Sequence, residues 1–244
     1  IRYRYKVMHT NISLSFPEKS EQELNKICRA TYRNLSEQII NTLSQAGVSN
    51  EMLMHRMKVL DADKVRAEIG ERSVIMLTAH YGPWEAGSTV SLVVPDQTFV
   101  AVYHKITNPV IDELMKRIRR HTNVELVEMR HTMRHFVDNR NKRPMAMGLI
   151  ADQNPALRAN MHWYKFLHQW TAFFEGGETL AMKYHLPVYY FSPRRISAGH
   201  YEGVFTMIYD GEEQVEPYTI TERYVRLLEN DINANPEMWM WSHR

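Results

Sequence analysis

From Ser73 onward short apolar runs alternate with helical stretches, and this rhythm limits the fold more than any other feature of the chain. Apolar runs at 73–79, 98–103, 123–128, 144–151 and 187–192 have the length and composition of buried strands. Between them, 83–94, 108–121, 131–141 and 177–185 are expected to be helical. Strands that alternate with helices build a largely parallel sheet with helices packed on it. Residues 201–209 alternate in polarity instead, as an edge or antiparallel strand does. A final helix is expected over 219–233. The expected fold class is α/β, a mostly parallel mixed sheet flanked by helices.

Residues 1–60 are expected to form a helical part. Ser20 and Glu23 have the spacing of a capping box. Leu24, Ile27, Cys28, Leu35, Ile39 and Leu43 then recur at helical intervals, and Gly47 can end that helix. A short helix is expected over 51–58. With 244 residues and no repeat, low-complexity tract or linker, one domain is expected over 1–244. It divides into a helical part over 1–60, an α/β core over 73–210 and a C-terminal helix and tail over 219–244.

Composition narrows the partners. The net charge is only +2, with 44% hydrophobic and 24% charged residues, so nothing global demands nucleic acid or suggests disorder. Positive charge is local. Lys116, Arg117, Arg119 and Arg120 form a cluster that is a solvated helix face, or a contact for anionic lipid headgroups or an acidic protein. The single cysteine, Cys28, falls on an apolar helix face and suits the core. It permits no disulfide within the chain, which fits a reducing compartment. No run approaches the ~18 apolar residues of a membrane span. The chain opens on Ile1 rather than Met, and a membrane anchor preceding it is expected. The basic and aromatic stretch from Arg2 to Lys6 suits a membrane interface, or equally an exposed segment.

The residues with the clearest chemical promise are His80-Tyr81-Gly82-Pro83-Trp84-Glu85. The run 73–79 delivers His80 to the carboxyl end of a strand, where open α/β sheets place their chemistry. A histidine that takes a proton from an alcohol needs one ring nitrogen free. A carboxylate on the other nitrogen sets that tautomer and stabilises the imidazolium. A tight turn can fold Glu85 back against the ring. Taken alone, these six residues also fit a capping or core histidine, with Glu85 favouring the positive end of a helix. The stretch from Asp152 to Phe173 lacks a clear period but is rich in aromatics and donors, among them Arg158, Asn160, His162, Trp163 and Trp170. It is either a functional loop or contains short strands. Arg130 and Arg158 offer the bidentate fork that suits a phosphate, or are equally surface or salt-bridge arginines. The 12 histidines are scattered without metal-ligand spacing, and no phosphate-cradling glycine loop occurs, so no metal or cofactor is expected.

Several segments together carry a family resemblance. They are Asn11-Ile12-Ser13-Leu14-Ser15-Phe16-Pro17, Arg29 to Leu35, and Thr78-Ala79-His80 with Trp84-Glu85. Further on come Tyr103 with Asn108-Pro109, Ala151-Asp152-Gln153-Asn154, Phe173-Phe174 before Gly176-Gly177, and the closing Asn235-Pro236-Glu237-Met238-Trp239-Met240-Trp241-Ser242-His243-Arg244. In this order and at these gaps the chain resembles the lysophospholipid-type acyltransferases, and most closely the bacterial lipid A late acyltransferases. It departs from their pattern at Asn154, where a second acid is usual, and at Glu175, which precedes the glycines. The resemblance implies a lysophospholipid acyltransferase-like domain on the cytoplasmic face of a bacterial inner membrane. It implies acyl transfer from acyl carrier protein to a hydroxyl of a membrane lipid acceptor such as a lipid A precursor. His80 would be the general base and Glu85 would orient it. No Ser or Cys nucleophile is required, because the acceptor attacks directly. Substrate-binding candidates are Arg130, Asp152, Gln153, Arg158, Glu175, Gly176 and Gly177. The turn at His80, the Asp152 loop and the Phe173–Gly177 block are expected to converge on one cleft. Beside it an apolar groove is expected, fed by some of the 15 methionines, most of which fill the core. Competing readings are an N-acyltransferase making an aminolipid, a thioester hydrolase and a non-catalytic lipid-binding relative.

Overall fold

The sheet that the alternation predicts has seven strands in a computed structural model, which describes residues 3–120, 124–153, 155 and 161–243. In chain order its elements are β1 (Met57–Val59), β2 (Val74–Thr78), β3 (Thr98–Tyr103), β4 (Glu125–Glu128), β5 (Met145–Ile150), β8 (Val188–Ser197) and β9 (His200–Tyr209). Across the sheet the order is β1-β9-β8-β2-β5-β3-β4. Every neighbouring pair is parallel except β8 and β9, which form the antiparallel hairpin that the polar alternation of 201–209 foretells. A separate small hairpin, β6 (Tyr164–Phe166) and β7 (Gln169–Thr171), lies inside the aromatic-rich stretch. Its two turn residues, Leu167 and His168, both have positive φ, as a two-residue hairpin requires.

Helices α1 (Tyr5–Ser15), α2 (Glu21–Gln45), α3 (Asn50–Arg56) and α4 (Ala62–Ile69) come from the N-terminal part. The capping box at Ser20 forms as the spacing predicts: the side chain accepts from the Glu23 amide, and Glu23 reaches back to the Ser20 amide. Helices α5 (Pro109–Arg120), α6 (Thr132–Asn139), α7 (Gly176–Tyr184) and α8 (Thr219–Ala234) lie between or after the strands of the core. β2 and β5 sit at the centre of the sheet, and Val74, Ile75, Met76, Leu77, Met145, Ala146 and Met147 are all buried. Cys28 is buried on α2, as expected.

Three local expectations need correction. The helix expected over 83–94 is a 3₁₀ segment, Trp84–Leu92. Gly82 has positive φ, Pro83 is not helical, and Gly87, Thr89 and Val90 are poor helix formers, so no regular α-helix is started or sustained. The strand expected over 187–192 continues to Ser197, because β9 supplies a partner along its length. α1, β1 and α4 have weak periodicity and were not expected. Arg2, Asn154, Arg158 and Asn160 lie outside the described residues.

Candidate active site

Strand register brings His80 and Asp152 together. β2 and β5 are parallel neighbours with Thr78 opposite Ile150, and the Ala151 amide extends the ladder to the Thr78 carbonyl at 3.1 Å. His80 and Asp152 each lie two residues past that pair. The strand period of two puts both side chains on one face, on chains roughly 4.8 Å apart. His80 Nδ1 lies 2.8 Å from Asp152 Oδ1. The indole Nε1–H of Trp239 donates to the other carboxylate oxygen, also at 2.8 Å.

The tail holds this pair in place. Gly82 N–H donates to the Met238 carbonyl at 2.8 Å, Met240 N–H donates to the His80 carbonyl at 3.0 Å, and Tyr81 bridges Trp239. Gly82 must be glycine here: its φ is 58°, and a Cβ would lie 2.8 Å from Met238 Cε. From α8, the buried Tyr224 hydroxyl donates to the Thr78 carbonyl at 2.9 Å and braces the end of β2.

This geometry sets the protonation of the ring. Asp152 is 2% exposed at its side chain. Burial works against its charge, but the His80 ring and the bonds from His80 and Trp239 outweigh it and hold the carboxyl below the usual range. An ionised carboxylate only accepts, so the proton of neutral His80 sits on Nδ1. The Nε2 lone pair is then free for the cleft side, where the Gln153 carboxamide nitrogen lies 3.3 Å away and donates to it. His243 belongs to the same neighbourhood. Burial first, and then the His80 charge, lower its pKa.

Glu85 sits differently from the expectation. The carboxylate on His80 Nδ1 is Asp152, while Glu85 receives a bidentate pair of bonds from Arg119, Nε to Oε2 at 2.9 Å and Nη2 to Oε1 at 2.7 Å. The turn at Gly82-Pro83 leads the chain away into the 3₁₀ segment and turns Glu85 towards α5. Glu85 and Arg119 are 13% and 18% exposed at their side chains, so the pair is largely desolvated. The basic cluster is correspondingly not one uniform solvated face. Arg119 is engaged with Glu85, and Lys116 bonds Asp112 at 2.7 Å, while Arg117 is exposed.

A cleft of about 240 Å³ opens at His80, bounded by Trp84, Glu85, Arg119, Gln153 and Phe174. It shares Val102, Met129, Ile150 and Phe174 with an apolar groove of about 210 Å³. Leu77, Met133, Leu149, Gly176, Gly177 and Leu180 line that groove. Gly177 lets α7 lie against the sheet, since a Cβ would fall 3.0 Å from Leu77 Cδ2. Glu175 precedes α7 and accepts from the Tyr164 hydroxyl at 3.3 Å. Burial raises its pKa despite that bond. Arg130 is 73% exposed at its side chain and pairs with Glu128 at 2.9 Å, away from the ring. Thus the structure gathers His80, Asp152, Gln153 and Glu85 around one cleft and puts Gly176 and Gly177 along its apolar extension. Arg130 stays on the surface. Sequence reasoning gave no site role to Trp239 or His243, and it placed Arg119 only in the basic cluster, not against Glu85. Only the closing tail motif hinted that the C-terminus reaches the site. Among the described residues no group of three His, Cys, Asp or Glu side chains is arranged to hold a metal ion.

A strand-edge histidine backed by a buried carboxylate thus faces a cleft that continues into an alkyl-sized groove. Residues 1–244 match the family described as bacterial lipid A biosynthesis acyltransferase. The chain belongs to that family. It is also similar to the lipid A biosynthesis lauroyltransferase of Escherichia coli (strain K12), at 21% identity over 246 residues, which span all of this chain and 79% of that protein. Family membership makes the chain an acyltransferase of lipid A biosynthesis. Among the described residues no helix is long and apolar enough to cross a membrane.

Proposed function

We propose that the protein moves a fatty acyl group from an acyl carrier protein thioester to a hydroxyl of a lipid A precursor, at the cytoplasmic face of the inner membrane. The observation that carries this reading is the His80–Asp152 pair, with Nδ1 bonded to a buried carboxylate and Nε2 facing a cleft that continues into an apolar groove. The acyl chain lies along the groove and places its thioester carbonyl in the cleft. Nε2 takes the proton of the acceptor hydroxyl as its oxygen attacks that carbonyl. The carbon–sulfur bond breaks, and the imidazolium returns the proton to the departing sulfur. Asp152 stabilises the imidazolium between the two transfers. Glu85 acts on the cleft wall, where it holds Arg119, rather than on the ring. Gly176 and Gly177 in the first turn of α7 bound the acyl side.

Membrane contact is supported by side chains on the groove rim. Met129, Met133 and Val137 are exposed at intervals of four residues, with Arg130 and Arg134 alongside. An apolar stripe beside cations suits an anionic bilayer surface. One acyltransferase domain over 1–244, with its helical part over 1–60 packed on the core, fits all of these contacts.

Replacing His80 with alanine tests the reading. Transfer from acyl–acyl carrier protein to a lipid A precursor should fall by roughly 10²–10⁴-fold, the contribution of a positioned base, in a protein that still folds but is less stable because the buried Asp152 loses one of its two partners. A well-folded His80→Ala protein with normal turnover would refute it.

A further inference from the structure

A second cavity is lined in part by Asp152 and Gln153. It has a volume of about 130 Å³, and its lining includes Asn11, Ser15, Gln169, Thr171 and His243. The acyl groove is lined mainly by carbon, whereas this recess sets carboxamide, hydroxyl, imidazole and the Asp152 carboxylate among the apolar side chains of Phe166, Leu167, Met240 and two tryptophans. Gln153 lines both the recess and the His80 cleft, so its side chain is a partition between them. Its amide also occupies the one lone pair that His80 can use, since Asp152 holds the other ring nitrogen.

We propose that the recess receives the hydroxyl-bearing polar segment of the lipid acceptor, and that Gln153 is the gate between that segment and the base. The proposal rests on His80 acting as the base. An acceptor hydroxyl can be deprotonated only at Nε2, so it must take the place of the Gln153 amide. The polar segment offers new hydrogen bonds to the displaced carboxamide and to Gln169 and Ser15, whose own bond is long at 3.4 Å. Opening the gate is thereby coupled to filling the recess. With the recess empty, the carboxamide covers Nε2 and water is denied the base. Without the gate, water would lose its proton to Nε2 and attack the thioester carbonyl. The carbon–sulfur bond would then break to release fatty acid and free thiol. Gln153 is in this view a positioning residue that decides between transfer and hydrolysis.

The test uses the purified protein with a fatty acyl–acyl carrier protein thioester, with and without a lipid A precursor. Free thiol reports total cleavage, and mass spectrometry of the lipid reports transfer. Gln153→Ala should raise acceptor-free cleavage about tenfold, well within what a freed base can deliver, and shift the product ratio towards fatty acid. The added cleavage should vanish in the Gln153→Ala/His80→Ala double variant. Gln153→Glu puts a carboxylate on Nε2, favours imidazolium and should move the transfer pH profile upward. Thr171→Trp, which fills the recess, should raise the acceptor KM about tenfold with little change in kcat, a loss worth about one hydrogen bond. Gln169→Ala should act in the same direction if Thr171→Trp does not fold. An unchanged ratio of hydrolysis to transfer in Gln153→Ala overturns the gate. An unchanged acceptor KM in the folded recess variant overturns the acceptor site in the recess. Normal transfer by His80→Ala would instead overturn the assignment of the base.

Discussion

Asp152→Asn separates a base held by a buried carboxylate from a histidine that merely sits nearby. The wild-type carboxylate accepts two bonds at 2.8 Å, one from His80 Nδ1 and one from Trp239 Nε1. A carboxamide cannot serve both. If its oxygen faces the ring, its NH₂ points at the indole N–H, donor against donor at a side chain only 2% exposed. If its oxygen faces Trp239, its NH₂ meets Nδ1. The ring proton must then move to Nε2, and the base is lost. The first orientation costs about 1–3 kcal/mol for an unpaired buried donor, or roughly 2–4 °C of melting temperature per kcal/mol for a chain of this size. The second sacrifices catalysis, and the equivalent change in a Ser-His-Asp triad lowers kcat by about 10⁴-fold. We therefore expect turnover to fall by about 10³–10⁴-fold, far more than the stability loss can explain at a temperature where the variant is folded. A pH series adds a second readout. The folded pKa of Asp152 lies below its ordinary 3.8, so the group contributes stability above that value and loses it as pH falls through the folded one. The stability gap between wild type and Asp152→Asn should therefore narrow in acid. Turnover on acyl–acyl carrier protein and urea unfolding of the same preparations decide the matter. A folded Asp152→Asn protein that keeps more than about a tenth of wild-type turnover contradicts the tautomer argument.

Other substitutions probe the surroundings. Glu85→Gln leaves the Arg119 guanidinium largely buried without its bidentate partner, so it should cost stability approaching the ~3–5 kcal/mol of a broken buried pair, measured by urea unfolding. The pH dependence of its remaining activity should match wild type, because Asp152 still holds the ring. Gly176→Leu should shift donor preference to shorter acyl chains in a competition assay at little cost in stability, since a Cβ there meets nothing within 4 Å. Gly177→Ala should instead lower the melting temperature, because its Cβ would crowd Leu77 at 3.0 Å and Leu149 at 3.3 Å. Glu175→Gln should stabilise the fold at neutral pH. Burial raises the Glu175 pKa, so the wild type loses stability as pH climbs from its ordinary 4.5 through the raised folded value, and the difference should disappear below about pH 4.5.

Much of the architecture was legible because it is written in local periodicity. The runs that became β2, β3 and β5, the capping box at Ser20 and the alternation of β9 are short-range patterns, and the structure keeps them within a residue or two. His80 was legible for the same reason, since an apolar run before a Gly-Pro turn marks the carboxyl end of a strand. The order of motifs also made the family visible. Partner choice was not legible. Asp152 meets His80 only because β2 pairs with β5 in one register, across 72 residues of chain. A slip of one residue would turn the carboxylate to the other face of the sheet. Glu85, five residues from His80, was the natural local choice of partner. It was drawn off by Arg119 on a helix whose packing no nearby sequence reports. Trp239 reaches Asp152 because the tail folds back along the turn after β2. Sequence periodicity thus determined which residues stand at the carboxyl edge of the sheet. Long-range hydrogen bonding and burial, which depend on strand order and register, decided which of them touch.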